Sequence, residues 1–179
     1  KILRKETKPA PVPITVCLPL IEQTRLEWAI EKLCELNVQS VQLISTERCQ
    51  WGTLSAKKME RLFKIAEAAQ KQCERAWPLL ISHPLSLTQI VIDPQRQNWF
   101  GHQRAYELKE STISNQNVVC SCAHELVRSS CIFIGPEGGF TPTEIDFFEQ
   151  QKVQPISIGQ TVLRTETAAV ALAAIVGQP

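Results

Sequence analysis

Apolar and polar positions along this chain follow two rhythms, one of strands and one of helices, that replace each other from end to end. Ile14 to Leu18 reads as a short buried strand. Thr24, with Glu27 following at capping-box spacing, then opens a helix that places Leu26, Ile30, Leu33 and Leu36 on one side. Val41 to Ser45 is a second strand. Ser55 caps a long helix in which Met59, Leu62, Phe63, Ala66, Ala69 and Cys73 keep helical spacing, and Pro78 follows soon after its end. Residues 79–130 carry a weaker pattern. Ile90-Val91-Ile92 and Trp99-Phe100 fit either a strand or short connections, and Asn117 to Ser121 suggests a further strand. Cys131 to Ile134 has the length and β-branched content of a buried strand. Pro155 to Gly159 reads as another, ending in glycine. Residues 161–176 open with polar groups and continue as a helix rich in Ala and Leu, apolar all round and therefore buried on several sides. It is too short and too Ala-rich for a membrane span. Such alternation predicts an α/β fold, a mainly parallel sheet flanked by helices.

The segment Gly135-Pro136-Glu137-Gly138-Gly139-Phe140 lies between the end of a predicted strand and a well-marked helix start. Thr141 suits the cap, Pro142 the first helical position, and Glu144 the reciprocal half of a capping box. Phe140 and Ile145 have the spacing of a hydrophobic staple. In open α/β sheets, ligands bind at the carboxyl ends of strands, which is where these glycines fall. They do not form a nucleotide P-loop, since no Lys-Ser/Thr pair follows, and their spacing is wrong for the dinucleotide fingerprint. Local pattern alone supports a small-ligand site or a tight strand-to-helix turn.

Arg164 and Glu166 stand at the head of the last apolar helix. Burial of either beside such a helix is costly without partners, so their placement points to a site. The plainer reading is an Arg–Glu pair on a solvated helix start.

Two segments, Ile134 to Phe140 and Ile158-Gly159-Gln160-Thr161-Val162-Leu163-Arg164-Thr165-Glu166-Thr167-Ala168, closely resemble the RsmE family of ribosomal RNA methyltransferases, within the SPOUT class of knotted methyltransferases. Glu35-Leu36-Asn37-Val38, Thr46-Glu47-Arg48-Cys49 and Gln72-Cys73-Glu74-Arg75 resemble further family segments in the family's order, so that the likeness runs from about Ile14 to Val176. The departures are modest. Asn37 replaces a glycine at a predicted helix end, where Asn is the next-best residue. Cysteines at positions 49 and 73 replace serines, and Glu74 replaces a glycine at a position read as helical.

The resemblance implies a SPOUT-type domain over residues 14–179 with a C-terminal trefoil knot, although general topology rules predict an unknotted chain. It implies S-adenosylmethionine as cofactor and, as reaction, methylation of N3 of a uridine in the decoding region of small-subunit (16S) ribosomal RNA. Cofactor contacts are expected at Gly135, Glu137, Gly138, Gly139, Ile158, Gly159, Leu163, Thr165 and Thr167. Arg164 is expected to stabilise negative charge on the uracil, with Glu166 orienting it or assisting proton removal. Arg48, Gln72 and Arg75 are expected to contact RNA. The class implies a homodimer, a cytoplasmic setting and no metal. Family members carry an N-terminal RNA-binding barrel, and residues 1–13, with three prolines near their end, resemble the linker that follows it. The alternative is a catalytically inert RNA-binding module of the same fold. A phosphate-ester enzyme using the glycines as an anion cradle ranks lower, because no nucleophile, base or metal-carboxylate set accompanies them.

Composition changes this picture little. The chain has 179 residues, 44% hydrophobic and 21% charged, consistent with one globular α/β core. A net charge of +1 gives no electrostatic sign of a nucleic-acid partner. Seven cysteines, an odd number, argue against a complete intramolecular disulfide framework. Cys120, Cys122, His124 and Cys131 invite a zinc reading, but their spacing lacks a matching second half.

Overall fold

The computed structural model describes residues 10–102, 129–158 and 161–177. In chain order these form β1 (Val12–Pro19), α1 (Gln23–Glu35), β2 (Val38–Ser45), α2 (Ala56–Gln72), β3 (Leu80–Ser86), a 3-10 turn (Leu87–Gln89), β4 (Gln97–Gly101), β5 (Ser130–Phe133), α3 (Pro142–Gln150), β6 (Gln154–Ile156) and α4 (Thr165–Val176). The strands make one six-stranded sheet in the order β3-β2-β1-β5-β4-β6. Every pairing is parallel.

Period-two alternation distributes the strands' side chains between two cores. Ile14, Val16 and Leu18 of β1 and Ile132 of β5 face a large cluster with Leu26, Ile30 and Leu33 of α1, Met59 and Leu62 of α2, and Ala169, Leu172 and Ala173 of α4. Cys17, Cys131, Phe133 and Phe100 face the opposite way, where Phe148 of α3, Phe140 and Leu87 cover them. Phe148 stacks on Phe100 at 4.8 Å and meets Phe140 edge-on at 4.9 Å. The mainly parallel, helix-flanked sheet expected from the sequence is therefore present.

Several local expectations are corrected. The first helix begins at Gln23 after Glu22, with no side-chain cap, so Thr24 lies within it. The Gln23 amide instead donates to Glu27 at 2.8 Å. Phe63 is 44% exposed, because the buried stripe of α2 runs through Met59, Leu62, Ala66 and Ala69, one helical step to its side. Cys73 caps that helix rather than continuing it, and Glu74 follows in the left-handed region with φ 54°, not in a helical conformation. Asn37 takes the left-handed position expected of it, φ 58°. Strand β3 gives little sequence signal because it is an edge strand, mostly exposed and broken by Pro84. Ile90 to Ile92 is not a strand: Ile90 and Ile92 pack under the second core while Val91 is exposed. The strand expected from residue 155 to Gly159 spans Gln154–Ile156. The Asn117–Ser121 strand and the 103–128 connection lie outside the described residues, as do residues 1–9 of the expected linker.

Candidate active site

At the carboxyl end of β5 the chain turns sharply through the glycine loop into α3. The Gly139 N–H donates to the Pro136 carbonyl at 2.8 Å, and Gly139 has φ 67°, a conformation that favours glycine. Thr141 caps α3 and the capping box forms as expected, the Thr141 N–H donating to a Glu144 carboxylate oxygen at 2.9 Å. The other Glu144 oxygen accepts the Glu47 N–H at 3.0 Å. One buried carboxylate thus ties the glycine loop to the segment after β2.

Arg48 strengthens that tie. Its guanidinium donates to the carbonyl oxygens of Gly138 at 2.8 Å and Phe140 at 3.2 Å. A Cβ on Gly138 would meet the Arg48 Cβ at 3.2 Å and Cδ at 3.3 Å, so the absent side chain at 138 makes room for the arginine stem.

The facing wall comes from the segment after β6 and the start of α4. Thr165 donates its hydroxyl to the Gly135 carbonyl at 3.1 Å, fastening the two loops together. Arg164 occupies the extended cap position of α4, and its carbonyl accepts the Ala168 N–H at 2.8 Å. Between the walls is a cavity of ≈ 580 Å³. Ile134, Ile158, Leu163 and Leu172 supply apolar lining, Glu137 a carboxylate, and Arg48 and Arg164 guanidinium groups.

Of the residues expected to hold cofactor, Gly135, Glu137, Gly138, Gly139, Ile158, Leu163 and Thr165 line this cavity. Gly159 lies outside the described residues, and Thr167 is exposed on α4 away from the lining. Arg164 lines the cavity, is exposed and forms no ion pair among the described residues. Glu166 does not pair with Arg164. It is buried at 8% exposure behind the wall, and its nearest cation is Arg25, at 4.0 Å. The expected RNA cluster is divided between the two ends of the sheet. Arg48 is at the cavity, whereas Gln72 ends α2 and Arg75 lies just beyond it, at the other end of that helix. The Arg75 guanidinium donates to the Cys34 carbonyl at 3.2 Å and the Val38 carbonyl at 2.6 Å, closing the α1–β2 turn. Burial lowers its pKa from the ordinary arginine value.

Sequence reading missed Gly101 and His102, which extend the cavity floor from the end of β4, and Arg25. Gly101 and His102 fall in the weakly patterned stretch, and Arg25 sits in a helix whose apolar face gave the stronger signal. Cys131 meets Cys17 across adjacent strands with sulfurs 3.6 Å apart. That hydrogen bond and burial push the Cys17 thiol well up from its usual value. Cys120, Cys122 and His124 lie outside the described residues. Trp28, Trp51 and Trp77 are exposed, while Trp99 packs against the larger core.

A family model described as an RNA methyltransferase domain matches residues 8–177. Ribosomal RNA small subunit methyltransferase E of Rickettsia conorii is 28% identical over 88% of this chain and 61% of its own length. The protein of the same name from Synechocystis is 32% identical over 95% of this chain and 55% of its own length. The chain therefore spans little more than half the length of these relatives. A Legionella pneumophila protein described as a methyltransferase, solved in complex with the bound cofactor SAM, superposes with a TM-score of 0.78 at 28% identity, covering 93% of this chain and 66% of that one. The ribosomal RNA small subunit methyltransferase E of Neisseria gonorrhoeae, bound to S-adenosyl methionine, has a TM-score of 0.75 at 21% identity, covering 94% of this chain and 66% of that one, a likeness of fold.

Proposed function

Since the chain belongs to the RNA methyltransferase family, we propose that it transfers a methyl group from S-adenosylmethionine to N3 of a uridine in the decoding region of small-subunit ribosomal RNA. The observation that carries this reading is the cavity itself. It lies at the carboxyl ends of β4, β5 and β6, is bounded by two fastened loops, and is lined by a cation with no ion pair among the described residues, Arg164.

The residues present fit the cofactor. The cavity falls within the usual range for small-molecule sites, about 300–1,000 Å³, and combines apolar walls with glycine-loop backbone groups and one carboxylate. Gly135, Gly138, Ile158 and Leu163 would form the slot for an adenine ring, with Gly139 and Thr165 supporting the loops. When bound, the cofactor supplies a methyl group on a positively charged sulfur, open to in-line attack.

The chain's own residues supply placement and charge. Uracil N3 carries a proton that must be lost for effective attack, and the resulting anion places negative charge on the ring carbonyls. Arg164, exposed at the cavity edge, is positioned to stabilise that charge. Glu166 anchors the turn that presents Arg164. Arg48 forms the RNA-facing rim while holding the glycine loop. Gln72 and Arg75 lie at the far end of the sheet, where Arg75 is held by backbone carbonyls, so the proposed RNA contact rests on Arg48.

Among the described residues no helix is long and apolar enough to cross a membrane. We place the protein in the cytoplasm as a homodimer acting on the small subunit or its RNA, with a knotted C-terminal crossing. The test is incubation with unmodified small subunits and methyl-labelled S-adenosylmethionine, followed by mass mapping of the RNA. Label on N3 of a single uridine is expected. Label on a ribose would refute the assignment of the acceptor, and cofactor binding without transfer would favour the inert RNA-binding module.

A further inference from the structure

Three segments remote in sequence meet at one guanidinium. Arg25, in the first turn of α1, lies 3.2 Å from a carboxylate oxygen of Glu22, 3.4 Å from one of Glu137 and 4.0 Å from one of Glu166. Glu137 belongs to the glycine loop and lines the cavity. Glu166 belongs to the first turn of α4 and stands behind the opposite wall. Its side chain is only 10% exposed, and its Oε2 is buried without a hydrogen-bond partner among the described residues.

A carboxylate in that condition gains from a nearby cation, because burial penalises its charge, and its place in the first turn of α4 supplies the other favourable field. Arg164 does not serve it, although it is close in sequence. Arg25 does, through Nε, while its Nη1 reaches Glu137. The planar fork of arginine suits this arrangement, since one rigid group can serve carboxylates in different directions. Without it, Glu137 and Glu166 would have no ion pair among the described residues.

We infer that Arg25 is a positioning residue of the cofactor site. It holds Glu137 at one wall and Glu166 behind the other, and so sets the gap between the loops that receive the cofactor. This rests on the S-adenosylmethionine reading of the cavity. Ion pairs as exposed as Arg25–Glu137 add little to global stability. The positioning role is therefore expected in ligand affinity more than in unfolding temperature.

The experiment compares wild type, Arg25→Gln, Arg25→Lys, and Arg25→Gln combined with Glu166→Gln. Each is examined by thermal unfolding without ligand and by calorimetric titration with S-adenosylmethionine. Arg25→Gln is expected to weaken binding about tenfold or more, equivalent to about 1.4 kcal/mol, with only a small fall in unfolding temperature. Arg25→Lys should recover part of the affinity. Removing the Glu166 charge in the double variant should recover more than Arg25→Gln alone retains. Unchanged affinity in Arg25→Gln, or a double variant no better than the single one, overturns the inference while wild-type binding leaves the cofactor reading standing. Failure of folded wild type to bind defeats that reading, and with it the positioning role.

Discussion

The Arg48 guanidinium donates to the Gly138 carbonyl at 2.8 Å, and the stem of the same side chain lies just beyond the space a Cβ on Gly138 would fill. Two sequence segments separated by ninety positions are thereby made into one wall. A side chain at position 138 would press on that stem and force it to give way. Gly138→Val is expected to displace Arg48 and abolish S-adenosylmethionine binding while the far-ultraviolet circular dichroism spectrum stays native. Undiminished affinity would place the cofactor elsewhere.

Glu144 makes the second connection, accepting one backbone N–H from its own loop and one from Glu47. The two donors address different carboxylate oxygens, so glutamine would turn its NH2 group toward one of them. Glu144→Gln should lower unfolding free energy by about 1–2 kcal/mol in urea titrations. A change indistinguishable from zero would mean that these bonds are replaced by solvent at no cost.

Arg164 lines the cavity without an ion pair among the described residues, so its replacement leaves no buried charge behind. Arg164→Ala is expected to reduce methyl-transfer turnover by about 10²-fold with little change in cofactor Kd. Equal losses in both would reassign it to cofactor binding.

Glu74 holds φ 54° immediately after the cap of α2, where glycine carries no penalty. Glu74→Gly should raise stability by up to about 1 kcal/mol, read as a higher urea midpoint. A lower midpoint would show that the glutamate's own contacts outweigh the backbone cost.

Arg61 of α2 clasps Glu27 of α1 with two donors, the second at 2.9 Å, and holds the Glu27 carboxyl below the usual carboxylate range. A folded-state pKa below the unfolded one contributes stability above the unfolded value, lost as pH falls through the folded one. The stability difference between wild type and Glu27→Gln should therefore be full at neutral pH and vanish in acid. A difference that persists unchanged below the folded-state pKa would assign it to packing.

Much of this architecture was legible in the sequence because its signals are local. The capping box at Thr141 and Glu144, the cap at Ser55 and the left-handed Asn37 all depend on side chains within a few positions of one another, and all are found as expected. Strand β3 was illegible because an exposed edge strand with a proline has neither alternation nor a continuous apolar run. The site was legible in its two loops, which glycine and charge mark out. Its ties were not. Arg25 with Glu166 and Glu144 with Glu47 are long-range contacts whose partners carry no local signature. Arg75 shows the converse error, since an exposed-looking arginine proves to be occupied with backbone carbonyls across the fold.

The central claim is that the cavity between the glycine loop and the head of α4 receives S-adenosylmethionine. Calorimetric titration of S-adenosylmethionine into this chain, with NADH and ATP as controls, tests it most directly. The account predicts selective binding at one site per chain, lost in Gly138→Val. Absence of binding by the folded protein, or equal binding of the controls, would contradict it.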